Sequence, residues 1–120
     1  MANKILVVDD SPADLHNIKS IVVNAGHTVI TASSGKEAVV KAKEMMPDMI
    51  FMDVIMDDTD GFEACRKIIS DVNTKDIPVV FVSSKCQKAD RVWAELQGGK
   101  ALVGKPYTED EIVQQINTFS

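Results

Sequence analysis

The sequence predicts an α/β domain built on an open, doubly wound parallel sheet of five strands with five helices, and three observations carry the prediction. Short aliphatic runs alternate with helix-like segments along the whole chain, the pattern of repeated βα units. Three of those runs are continuously apolar rather than alternating, as strands covered on both faces are. Polar residues that stand out from their surroundings follow directly on the runs, where α/β sheets place their binding sites. A length of 120 residues suits one domain, so a single domain over 1–120 with no output domain is expected.

The first strand is Ile5-Leu6-Val7-Val8. Ser11 caps the helix after it and Pro12 takes that helix's first position, where a missing N–H costs nothing; Gly26 supplies a left-handed residue beyond its end. Thr28-Val29-Ile30 forms the second strand. Ser34 and Glu37 have the spacing of a capping box, Pro47 stops the second helix, and Ala38, Val39, Ala42 and Met45/Met46 fall on its inner face. Met49-Ile50-Phe51-Met52 and Val79-Val80-Phe81-Val82 are the third and fourth strands, and Ala101-Leu102-Val103 the fifth. Thr108 with Glu111 makes a second capping box, ahead of a helix that turns Ile112, Val113 and Ile116 inward.

Bulk properties exclude several functions. A net charge of −5 with no Lys/Arg cluster repels nucleic acid and anionic membrane. No apolar run approaches the roughly 20 residues of a spanning helix and no leader pattern opens the chain, so a cytoplasmic location is expected. Cys65 and Cys86 have neither zinc spacing nor the number of a disulfide scaffold and are expected to be buried or half-buried thiols.

The chemistry lies in the residues that end the strands: Asp9 and Asp10 after the first, Asp53 after the third, Ser83 after the fourth and Lys105 after the fifth. In strand order 2-1-3-4-5, the first and third strands flank the point where the order reverses. Asp9, Asp10 and Asp53 then converge in one pocket, with Lys105 and Ser83 on its far wall. Two unit charges about 4 Å apart repel by roughly 4 kcal/mol at an effective dielectric near 20, so a cation has to offset the cluster. Hard carboxylate oxygens without His or Cys suit Mg²⁺ rather than zinc. A metal and Lys105 together would draw in an anionic phosphoryl donor and let Asp53 act as nucleophile, giving an acyl phosphate. Singly, each of these residues reads equally well as a turn or cap residue, Asp60-Gly61 included.

As an ensemble the pattern resembles the bacterial response-regulator receiver family over essentially the whole chain. The resemblance rests on Asp9-Asp10-Ser11, Met52-Asp53-Val54-Ile55-Met56 leading to Asp60-Gly61, Ser83, and Lys105-Pro106. It implies a flavodoxin-like fold, Asp53 as phosphoryl acceptor, and Asp10, Asp53 and the Ile55 carbonyl as Mg²⁺ ligands with Asp9 acting through water. It further implies that Lys105 pairs with the phosphoryl oxygens, that the Lys105-Pro106 bond is cis, and that the Ser83 hydroxyl moves toward the phosphoryl group as a switch. The implied partners are a histidine kinase or histidine phosphotransfer domain upstream and a protein target on the helix 4, strand 5 and helix 5 face. Ser11-Pro12, Val92-Trp93 and Gln97-Gly98 resemble the single-domain receivers of type IV pilus chemosensory systems, with flagellar chemotaxis and phosphorelay shuttling as rivals.

Three departures bear on how the site works. Leu102 stands where the family has an aromatic switch residue, with Trp93 as a substitute contact surface. Asp57 and Asp58 replace a common proline after the acceptor, from which a more mobile loop and altered metal affinity are expected; Ser84 and Lys85 follow the switch hydroxyl. The rival classes are a receiver-fold interaction module that is never phosphorylated, a flavodoxin-like cofactor binder and an aspartyl phosphatase. The carboxylates and proline of Asp9-Asp10-Ser11-Pro12 argue against a flavin phosphate loop, and Ile55 stands where the phosphatase needs a second carboxylate.

Overall fold

Strands and helices alternate strictly: β1 (Lys4–Val8), α1 (Pro12–Asn24), β2 (Thr28–Ala32), α2 (Gly35–Met45), β3 (Met49–Asp53), α3 (Gly61–Ser70), β4 (Val79–Ser83), α4 (Lys88–Leu96), β5 (Ala101–Gly104) and α5 (Glu109–Phe119). The computed structural model describes residues 3–56 and 60–120; Asp57 and Asp58, with the expectations placed on them, lie outside the described residues. All strand pairs are parallel and the order is β2-β1-β3-β4-β5, the doubly wound arrangement expected.

Period-two alternation divides the core between the two faces of the sheet. Ile5, Val7, Phe51 and Val80 point to the side covered by Ile18 and Val22 of α1 and by Ile112 and Ile116 of α5. Leu6, Met52, Phe81 and Leu102 point to the side covered by α2, α3 and α4 through Ala38, Ala42, Cys65, Ile68 and Ala94. Because helices lie on both sides, every residue of β3 and β4 is buried, which is why those runs read as unbroken apolar sequence. Phe51 and Phe81 are fully buried, each contributing about 1.5–3 kcal/mol by leaving water.

Register aligns the carboxyl ends of the strands. Val8 pairs with Met52, Asp53 with Val82, and Ser83 with Gly104. The residues that end the strands or directly follow them therefore emerge in a row: Asp9, Asp53, Ser83 and Lys105 share one edge of the sheet.

Most helix signals act as expected. Ser11 caps α1 with Pro12 in its first turn, Gly26 sits at φ +93, and Thr108 and Glu111 satisfy each other's backbone N–H groups at the start of α5. Two expectations need correction. Ser34 accepts the Glu37 N–H at 3.1 Å, but the Glu37 carboxylate takes the N–H of Ser33 at 2.7 Å, one residue earlier than a capping box places it. Met45 and Met46 are exposed rather than on the inner face of α2, because the helix ends at Met45 and Met46 turns the chain away in a left-handed conformation at φ 47. Cys65 is buried and Cys86 half-buried, both as free thiols. Among the described residues, no helix is long and apolar enough to cross a membrane.

Candidate functional site

The row of strand ends forms a pocket whose floor is acidic. Asp9, Asp10 and Asp53 each present a carboxylate oxygen within 4.8 Å of the other two. Asp9 is 1% exposed and Asp53 7%, so two of the three carboxylates have little water of their own. Asp9 is oriented by the Ser11 N–H, which donates to its Oδ1 at 2.9 Å, and its own N–H donates to the Ala32 carbonyl at 3.2 Å. The loop from β1 into α1 therefore aims that side chain inward.

Lys105 supplies the positive charge. Its Nζ donates to Asp14 at 3.1 Å, Asp9 at 3.2 Å and Asp53 at 3.3 Å. The backbone N–H of Lys105 donates to the Ser83 carbonyl at 2.9 Å, which ties the end of β5 to the end of β4, and the Lys105-Pro106 bond is cis. Burial alone would favour a neutral Lys105, but the Asp14 hydrogen bond and the charges of Asp53 and Asp9 outweigh it and raise its pKa. Lys105 is therefore a permanent cation. Burial, followed by the negative charge of Asp9, pushes the Asp53 carboxyl up to about 6 against the pull of Lys105. At neutral pH it is still mainly ionised, and more basic than an ordinary aspartate, both of which suit a nucleophile.

The donor set fits a hard divalent cation. Three clustered carboxylate oxygens, with no His or Cys among them, match the preference of Mg²⁺ for a few charged oxygens plus water. Ile55 lies two residues beyond β3, and because its side chain is a hydrocarbon only its backbone carbonyl could contribute.

Ser83 ends β4 at 3% exposure and does not cap α4, which begins five residues later at Lys88. Its Oγ accepts the Lys85 N–H at 3.1 Å, linking it to the β4–α4 loop. A cavity of about 220 Å³ opens beside it, lined by Val54, Ile55, Phe62, Ser83, Lys85, Asp90 and Leu102. Leu102 itself is buried against the core. Arg91 of α4 donates through Nη1 to the Leu102 carbonyl at 2.6 Å and through Nε to the Cys86 carbonyl at 3.0 Å, so one side chain joins loop, helix and strand. On the same helix Val92, Trp93 and Leu96 are exposed.

The strand ends bring together all the residues singled out by their place after the apolar runs; beside them the pocket has Asp14, which the sequence did not single out, and Gly61, whose close approach to β3 the sequence did not show. Asp14 sits within α1, and its spacing from Asp9 looks like any acidic first-turn residue. Gly61 looks like half of an ordinary Asp-Gly turn. In the fold Asp60 caps α3 by accepting the Glu63 N–H at 2.8 Å, and Gly61 N–H donates to the Val54 carbonyl at 2.7 Å. A Cβ on Gly61 would lie 2.1 Å from the Asp53 carbonyl oxygen, so only glycine lets α3 approach the end of β3 this closely.

Two relatives match the chain over nearly their whole length. The chain is 36% identical over 114 residues to Protein PilH of Pseudomonas aeruginosa, covering 95% of this chain and 94% of that one. It is 33% identical over 122 residues to Chemotaxis protein CheY of Thermotoga maritima, covering 100% and 99%. Among solved structures, it is similar to the CheX-CheY-BeF3-Mg²⁺ complex of Borrelia burgdorferi, with a TM-score of 0.89, 25% identity and coverage of 96% of this chain and 87% of that one. A family model described as the response regulator receiver domain matches residues 5–117, and with these relatives it shows that the chain belongs to the response-regulator receiver family.

Proposed function

We propose that this chain is a receiver that accepts a phosphoryl group on Asp53 and signals through protein binding that depends on it. The observation that carries this is the Asp53 carboxylate, buried beside Asp9 and Asp10 and held at 3.3 Å by the Lys105 ammonium. In the transfer, an Asp53 carboxylate oxygen attacks phosphorus. The bond from phosphorus to the donor breaks as the new P–O bond forms, and the donor's leaving atom, a histidine ring nitrogen or an oxygen, departs with the electron pair. Lys105 holds Asp53 ionised and then pairs with the phosphoryl oxygens. Asp9, Asp10, Asp53 and the Ile55 carbonyl would hold Mg²⁺, Asp9 acting through water; when bound, the ion supplies positive charge against the three carboxylates and the transferring group.

The Ser83 hydroxyl stands one strand away from Asp53 and is the switch residue, carrying the loop it binds through Lys85 N–H toward the phosphoryl oxygens. The donor is a histidine kinase or histidine phosphotransfer domain in the cytoplasm, and the target is a protein that reads α4, β5 and α5. The likeness to PilH and to CheY supports a place in pilus-based motility or chemotaxis.

Intact-mass measurement after incubation with Mg²⁺ and a small-molecule phosphoryl donor tests the proposal. The wild type gains one phosphoryl mass and Asp53→Asn gains none. Equal labelling of both would place the acceptor elsewhere, and no labelling of either would favour an interaction module that is never phosphorylated.

A further inference from the structure

Lys105 has one partner more than phosphoryl transfer requires. An ammonium group carries three protons, and here each faces a carboxylate: Asp9, Asp14 and Asp53. Asp9 and Asp53 belong to the carboxylate triad of the pocket. Asp14 does not; it projects from the first turn of α1 and makes the shortest of the three contacts.

A phosphoryl group on Asp53 brings new oxygens that compete for those protons, so at least one existing contact has to lengthen. With Asp14 in place, the Lys105 charge is divided between the phosphoryl group and a carboxylate that plays no part in the transfer. The Asp14 charge also repels the phosphoryl dianion, because both lie within reach of the same ammonium. We infer that Asp14 acts as a built-in brake on the phosphorylated state: it is a positioning residue that holds Lys105 in the resting pocket and weakens the lysine's grip on a phosphoryl group at Asp53. The inference rests on Asp53 being the acceptor.

The size of the effect follows from exposure. The Asp14 side chain is 38% exposed, so water screens the pair, and removing its charge should shift the balance by roughly two- to fivefold. Loss of a buried partner of the same lysine would do far more.

The test measures the phosphorylated fraction at steady state by intact mass, across a series of acetyl phosphate concentrations with saturating Mg²⁺. Wild type, Asp14→Asn and Asp14→Glu are compared, with circular-dichroism melting to establish that each is folded. Asp14→Asn is expected to reach half-phosphorylation at a two- to fivefold lower donor concentration. Asp14→Glu, which restores the charge on a longer arm, is expected to give back most of the wild-type requirement. A role in α1 alone would alter melting without moving the donor dependence. An unchanged or higher donor requirement in Asp14→Asn overturns the inference while leaving the acceptor assignment intact; a wild type that takes up no phosphoryl group at Asp53 overturns both.

Discussion

The two halves of the sheet's carboxyl edge are held in opposite ways. Between β1 and β3, like charges crowd together and a helix start presses so closely on the acceptor strand that no Cβ fits at Gly61. Between β4 and β5, Leu102 borders an open cavity of about 220 Å³ and Arg91 binds backbone carbonyls rather than particular side chains. The phosphoryl transfer proposed for the first region needs fixed atoms, and the crowding there fixes them. The readout proposed for the second region needs only a surface that can shift, and the cavity leaves room for that.

Substitution of Gly61 should show the contrast most strongly. Gly61→Ala is expected to lower stability by about 3 kcal/mol, because the new methyl meets backbone rather than a yielding side chain. Denaturant midpoints measure this, and a loss below about 1 kcal/mol would mean that the pocket is as tolerant as the readout side.

The acidic cluster should respond in the other direction. Asp53 has a folded-state pKa of about 6 against an ordinary 3.8, so the folded protein binds this proton more tightly than the unfolded chain. The stability it contributes is fully present below 3.8 and lost as pH rises through 6. In the absence of Mg²⁺, Asp53→Asn should therefore stabilise the protein at neutral pH by about 1–2 kcal/mol, allowing for solvent screening, and flatten the fall in stability across that window. Melting curves that show Asp53→Asn to be less stable at neutral pH would contradict the crowding of charge.

On the readout side the effects should be smaller. Arg91→Met removes a charged donor from the Leu102 and Cys86 carbonyls and is expected to cost about 1 kcal/mol. The environment of Trp93, two positions along the same helix, should change with it, which tryptophan fluorescence would register. Leu102→Phe has the neighbouring cavity to expand into and should change stability by less than about 1 kcal/mol. A destabilisation as large as that of Gly61→Ala would end the distinction between the two regions.

The pocket was legible in the sequence for a physical reason. Asp9, Asp53, Ser83 and Lys105 each interrupt an apolar run at its carboxyl end, and a parallel sheet brings such ends to one edge. Asp14 was not legible because its meaning comes from where the long Lys105 side chain reaches across to α1, which no local spacing encodes. Gly61 looked like half of a turn because its constraint is a contact with a strand eight residues earlier. Arg91 was missed because its partners are carbonyl groups, which every residue has. At the end of α2, Met46 shows the same limit, since nothing in its side chain announces a left-handed conformation.

Phosphoryl transfer is proposed to end on Asp53, and reductive trapping of the acyl phosphate identifies the acceptor residue by residue. The protein is loaded with a small-molecule phosphoryl donor and Mg²⁺, treated with borohydride to reduce the acyl phosphate, digested, and sequenced by tandem mass spectrometry. Homoserine in place of aspartate at position 53 alone is the expected result. Homoserine at Asp9 or Asp10, or at none of the aspartates, would contradict it.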